Sequence, residues 1–441
     1  MTKRLQGDRW TGAWLRDSGL MLFSQGALTA IATLVMILLA RNLSTYQFGL
    51  FSSFLGLAQA LSFVVDAGLT VWLLRECSRI RVSDAPREEQ DADIARLLGH
   101  ALSIVLYMGA ITVVGSVAIG LALGLSSTLS FAQGAFMGYI AVLAAATTLE
   151  ARLRSERRLG QVLSAVLVEK ASLLAFVGIV LLLGGGLLVV GAVYVLAGLL
   201  RAALDYHRAL RPLGPARGDS PLLVKPWAIS PILKVTAPFA FNSAALTFLP
   251  RLDTALVAIV SVIGAGYYAL GYQIVTTAQL VPAIASITLL PLLTANRGAR
   301  GSQWKVFWMM TGVGALVAGI AILLAPFAVP LLFGAHFRPA IGAIQVMMLA
   351  LPPIFASNAI MPYLYSQGHE HDVLRWVLLP SALGTGLVLL GEITIGPVGA
   401  SLGLMTRFLL ITLSFVLLSF RRSSARVAVI PVEPQLSGPV P

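Results

Sequence analysis

The chain is a train of long apolar runs separated by short basic loops, and this pattern leaves little choice of fold. A membrane-crossing helix needs about 20 apolar residues, because each residue rises roughly 1.5 Å and the hydrocarbon core is roughly 30 Å thick. Twelve such runs fit within the 441 residues, at approximately 19–40, 48–72, 98–123, 129–150, 161–183, 187–206, 236–262, 266–293, 304–325, 340–365, 374–394 and 398–420. Only 11% of the residues are charged, against roughly 25% in globular chains. With a mean hydropathy of +0.86, the expected fold class is all-α and polytopic.

The net charge of +12 would suggest a nucleic-acid partner in a soluble protein. Here the basic residues fall in alternate loops: 75–96, 151–160, 207–234, 295–305 and 366–373, together with both tails. Loops 124–128, 184–186, 263–265 and 395–397 carry no Lys or Arg. The positive-inside bias then places both termini on the cytoplasmic side of an inner membrane, and no nucleic-acid partner is expected. Lys3, Arg4, Arg9 and Arg16 precede a first run too long for a cleavable leader, so it reads as a retained helix.

Six runs precede the longest hydrophilic stretch and six follow it. The expected organisation is a tail (1–18), an N-lobe (19–206), a connecting loop (207–235), a C-lobe (236–420) and a second tail (421–441). A related phrase opens the second run of each half, QFGLFSSF around Gly49 and GAGYYALGY around Gly266. Parallel six-span repeats are a transporter architecture, with the substrate path between the halves.

No phosphate-cradling loop, nucleophile motif or metal-ligand spacing stands out, so no enzyme, cofactor or metal is expected. The lone Cys77 rules out an intramolecular disulfide. Ionisable groups at bilayer depth cost at least about 2.5–3.5 kcal/mol on insertion scales, and therefore face a cavity or a partner. Six stand out: Asp66, Glu169, Lys170, Arg251, Asp253 and Arg407. Arg251 lies roughly 16 Å from its nearer exit, beyond comfortable snorkelling. Cavity cations are expected at Arg251, Lys170 and Arg407, and ion-coupling or charge-pairing groups at Asp253, Glu169 and Asp66. Arg251 and Asp253 are about 200° apart around a helix and cannot share a face. Asp66 suits packing or capping as well as transport. Tyr267, Tyr268, Tyr272 and Tyr363 could stack on sugar rings, but they suit interfacial anchoring better. Prolines such as Pro326, Pro330, Pro352, Pro353 and Pro362 allow kinks in the second half.

The phrase from Leu39 to Arg79 resembles the opening of bacterial polysaccharide-exporting flippases, the Wzx-like branch of the multidrug/oligosaccharidyl-lipid/polysaccharide exporter superfamily. The resemblance rests on Arg41 with Leu43, Phe48-Gly49-Leu50-Phe51, Asp66-Ala67-Gly68-Leu69 and Arg75. RLDTALVAIVSVIGAGYYALGYQI, with Arg251, Asp253, Gly266 and Tyr268, is similar to the family's seventh span, and PLLFGAHFRPAIGAIQVMML to the loop after its ninth. The resemblance implies two lobes around a cation-lined cavity that passes a polyprenyl-pyrophosphate-linked oligosaccharide outward by alternating access, for O-antigen or exopolysaccharide synthesis. It also implies membrane lipids, a polysaccharide polymerase and other assembly proteins as partners. The chain differs from the lipid II flippase branch, which has two further spans, and its first span carries no internal charge. A cation-coupled drug exporter, a membrane glycan polymerase or ligase, and an envelope scaffold are the rival readings.

Overall fold

Inside hydrocarbon a chain must satisfy its own backbone hydrogen bonds, so the apolar runs form helices. The computed structural model describes residues 26–210, 230–282, 300–366 and 370–423. The expected tail 1–18, most of the 207–235 loop, the end of the 266–293 span and residues 424–441 lie outside the described residues.

The N-terminal half comprises α1 (Gly26–Asn42), α2 (Thr45–Ala60), α3 (Ser62–Asp66), α4 (Leu69–Val82), α5 (Arg87–Ala122), α6 (Ser127–Ser155), α7 (Leu159–Leu182) and α8 (Leu187–Ala209). The C-terminal half comprises α9 (Ser230–Val260), α10 (Val262–Ala278), α11 (Arg300–Phe333), a 3-10 turn at Ala335–Ala340, α12 (Ile341–Met348), α13 (Leu351–Ser366), α14 (Glu370–Ile395) and α15 (Pro397–Ser423). Among the described residues there is no strand, and nine helical segments are long and apolar enough to cross a membrane. Large apolar side chains such as Ile111, Val114, Leu316, Leu323 and Phe327 stand exposed on the outside. A bilayer supplies the solvent such a surface needs.

Two expected spans are broken. The 48–72 run does not continue to residue 72, because Ala67 and Gly68 take left-handed φ of 48° and 74° and turn the chain into α4. A side chain rarely accepts that region, and glycine at the second position makes the turn possible. The 340–365 run divides between α12 and α13, immediately before Pro352 and Pro353, where the missing amide donors cannot continue an upstream ladder.

Helix α2 joins the halves, packing against both α9 and α10. Where α2 and α10 cross, a Cβ on Gly49 would lie 1.9 Å from the Val262 carbonyl oxygen, and one on Gly266 would lie 3.3 Å from Gly49 itself. The two phrases that signalled a repeat therefore touch. Around this crossing Phe48 packs edge-on against Phe337 at 5.4 Å, His336 hydrogen-bonds the Ala40 carbonyl at 2.9 Å, and Arg41 donates to the Leu331 carbonyl at 2.8 Å. The halves are closed against one another at the end where α1 passes into α2.

Candidate functional site

Further into the bundle, a cavity of about 150 Å³ lies between α1, α2, α7 and α8 on one side and α9 and α10 on the other. Lys170 enters it from α7 and Arg251 from α9, with Gln59, Gln273, Tyr194 and Tyr272 among its walls. Arg251 is exposed and sits 6.0 Å from the Tyr272 ring centre, within reach of a cation–π attraction. Among the described residues it has no carboxylate partner. The tyrosines expected at the interface belong partly to the interior: Tyr272 lines this cavity, and Tyr268 is fully buried.

Two positions beyond Arg251, Asp253 leaves the helix on the opposite side, as the 100° step per residue requires. It meets Arg407 of α15. Nη1 lies 2.6 Å from Asp253 Oδ2, and Nη2 donates to Oδ1 at 2.8 Å and to Thr385 Oγ1 at 2.9 Å. Tyr268 donates its hydroxyl to Asp253 Oδ2 at 3.0 Å. The pair is sealed, with 1% of Arg407 and none of Asp253 exposed. Arg407, expected as a cavity cation, is instead a brace between α9, α10, α14 and α15, because its guanidinium is taken up by the carboxylate that faces it.

Lys170 belongs to a second charged cluster. Its Nζ donates to Glu169 Oε1 at 2.7 Å and lies 3.3 Å from the Tyr139 hydroxyl, which also donates to Glu169 at 2.8 Å. The other Glu169 oxygen accepts from Arg201 Nη1 at 2.7 Å, and Arg201 Nη2 reaches Glu150 at 2.6 Å. Arg154 Nη2 donates to the remaining Glu150 oxygen at 2.7 Å, and Asp205 Oδ2 lies 3.7 Å from Arg201. Three acids and three bases thus alternate across α6, α7 and α8. Lys170, 22% exposed, is the member that reaches the cavity. Arg201 and Glu150 are the residues that sequence reasoning passed over. Arg201 falls inside the 187–206 run, so the test of charge at bilayer depth could have found it, whereas Glu150 is the last residue of the 129–150 run and reads as a boundary charge.

Asp66 lies away from the cavity cations at the break before α4, where Oδ1 accepts from the Thr70 amide at 3.3 Å and from the Thr70 hydroxyl. It caps α4. Gly68 supplies the turn, and Arg75 is exposed on α4 with Glu76 4.0 Å away. Gly49 and Gly266 make the crossing. Among the described residues no three His, Cys, Asp or Glu side chains gather as metal ligands would.

Two helical halves that close at one end over a charged cavity have the fold of the MOP-superfamily transporters. An inward-facing multidrug resistance MATE family transporter of that superfamily is similar to this chain with a TM-score of 0.66 at 14% identity, over 90% of this chain and 94% of its own. The lipid II flippase MurJ in an inward closed conformation gives 0.68 at 11% identity, over 91% and 87%. An outward-facing MATE structure gives 0.56 at 14% identity, over 93% and 95%. The sequence profile described as "Polysaccharide biosynthesis protein" matches residues 14–297, well over half of the chain, and the chain belongs to that family. No curated protein matches it in sequence.

Proposed function

We propose that this protein moves a polyprenyl-pyrophosphate-linked oligosaccharide from the cytoplasmic to the periplasmic leaflet of a bacterial inner membrane by alternating access. The observation that carries this reading is Arg251: a guanidinium at the wall of a cavity between the halves, with no carboxylate partner among the described residues. A planar guanidinium can grip phosphate oxygens with two parallel hydrogen bonds. Lys170, across the cavity, is the second cation; its charge is shared with Glu169, so it assists. Arg407 holds the frame. A cavity of about 150 Å³ is too small for an oligosaccharide, so the glycan requires a more open state than this one. Two cations in the wall also disfavour a cationic drug as cargo.

The test is transport in reconstituted vesicles, measured beside size-exclusion profiles. Arg251→Lys retains part of the transport, because a point charge replaces the fork, and Arg251→Ala abolishes it, with both variants folded. A folded, fully active Arg251→Ala would remove the proposal.

A further inference from the structure

A second hollow lies on the outer face of the C-terminal half, and none of the charges described above lines it. It is a groove of about 490 Å³ between α11, α13 and α15, and its walls are almost wholly carbon. Its inner end lies at Pro352 and Pro353, where the tenth span breaks midway, and Thr412 closes it by donating to the Pro353 carbonyl at 2.6 Å. Its other end is a pair of rings, Trp304 and Phe420, nearly parallel with centres 5.3 Å apart. From Leu409 to Phe420 the groove follows α15 for about 16 Å at the helical rise, close to half of a roughly 30 Å hydrocarbon core. It is thus as long as one leaflet.

The two ends differ in charge. Level with the aromatic pair, Lys305 follows Trp304 in α11 and is exposed, and α15 continues past Phe420 through Arg421 and Arg422. Tryptophan at a helix start beside basic residues marks the membrane–water boundary. A chain lying in the groove would therefore place its head beside the Lys305 cation. We propose that the groove is a binding site for an anionic phospholipid of that leaflet, with one acyl chain along α15 and the phosphate at Lys305. The single-leaflet length favours an acyl chain over a polyprenyl tail, which is several times longer. This site does not depend on what the central cavity carries.

Native mass spectrometry of the intact chain in detergent, titrated with phosphatidylglycerol, with phosphatidylethanolamine of matched acyl chains and with a polyprenyl phosphate, tests it. The expected result is a bound phosphatidylglycerol that resists displacement by the other two. Lys305→Gln should weaken it by about fivefold, the equivalent of about 1 kcal/mol per surface cation. Leu413→Trp, which fills the groove, should weaken it by at least about tenfold, whereas Leu323→Trp on the lipid-facing side of α11 should not. Melting curves of all three variants establish that they fold. Equal binding of the two phospholipids, preference for the polyprenyl phosphate, or unchanged affinity in a folded Leu413→Trp would each overturn the proposal.

Discussion

Asp253 and Arg407 stand 154 positions apart in the chain and face each other as a sealed two-pronged ion pair across α9 and α15. Such a pair gives little net stability relative to a well-packed apolar substitute, yet losing one member strands the other. That cost is about 3–5 kcal/mol. Arg407→Ala or Asp253→Ala should therefore deplete folded protein in size-exclusion and melting measurements, while Asp253→Asn combined with Arg407→Gln recovers most of it. A double variant no better than the singles would mean that the charges themselves hold the helices together.

The Gly49–Gly266 crossing closes one end of the bundle by bringing two backbones into contact. A methyl group at Gly49 would have to occupy the Val262 carbonyl oxygen, which is 1.9 Å away and belongs to backbone. Gly49→Ala should push α2 and α10 apart and favour the state open at that end. A cysteine at Gln273 in the cavity wall then gains labelling by an impermeant reagent applied to that face. Gly56→Ala is the control, since its nearest neighbour is the Thr254 side chain at 3.3 Å.

At the opposite end of the N-terminal half, Glu156 accepts from Arg81 at 2.6 Å and from Arg152 at 2.9 Å, and Arg81 also reaches Asp91 at 2.6 Å. Burial alone would raise the Glu156 carboxyl, but the two guanidiniums outweigh it and hold it below the usual range. A carboxyl depressed by folding contributes fully above its unfolded value, and that contribution is lost as pH falls through the lower, folded one. The tie between α4, α5 and α6 should therefore loosen only below the ordinary glutamate value of roughly 4.3. Hydrogen exchange across 79–92 reports this as protection lost on acidification. Glu156→Gln should start with less protection and show a shallower pH dependence.

The spans were legible because hydropathy is a local property: the described helices fall within a few residues of the apolar runs for most of the chain. The opposed directions of Arg251 and Asp253 were equally legible, since helical geometry alone decides them. Arg407 was not, because depth in the bilayer is the same for a free cation and a paired one, and its partner is set by how α9 meets α15. The break at Ala67–Gly68 was masked by the apolar residues on both sides of it. Arg201 shows the converse, a charge visible at span depth whose role emerges only when three helices bring Glu150 and Glu169 to it.

The direction of the proposed transport depends on which end of the bundle faces the cytoplasm, and two exposed positions decide it. Val82, 86% exposed, ends α4 beside Arg81, which is tied to Glu156 just beyond α6. From there α7 starts at Leu159 and runs the length of the bundle to Leu182, which is 89% exposed at the other end. The native cysteine does not interfere: Cys77 is fully buried, and burial pushes its thiol up to about 12, so almost no thiolate is present at neutral pH. In intact cells an impermeant maleimide should label Leu182→Cys at once, and Val82→Cys only after permeabilisation. The basic loops then lie inside, as the charge bias requires, and the end sealed by Gly49 and Gly266 faces outward, leaving the cavity to open toward the cytoplasm. The reverse labelling pattern would turn the closed end inward and reverse the proposed direction of transport.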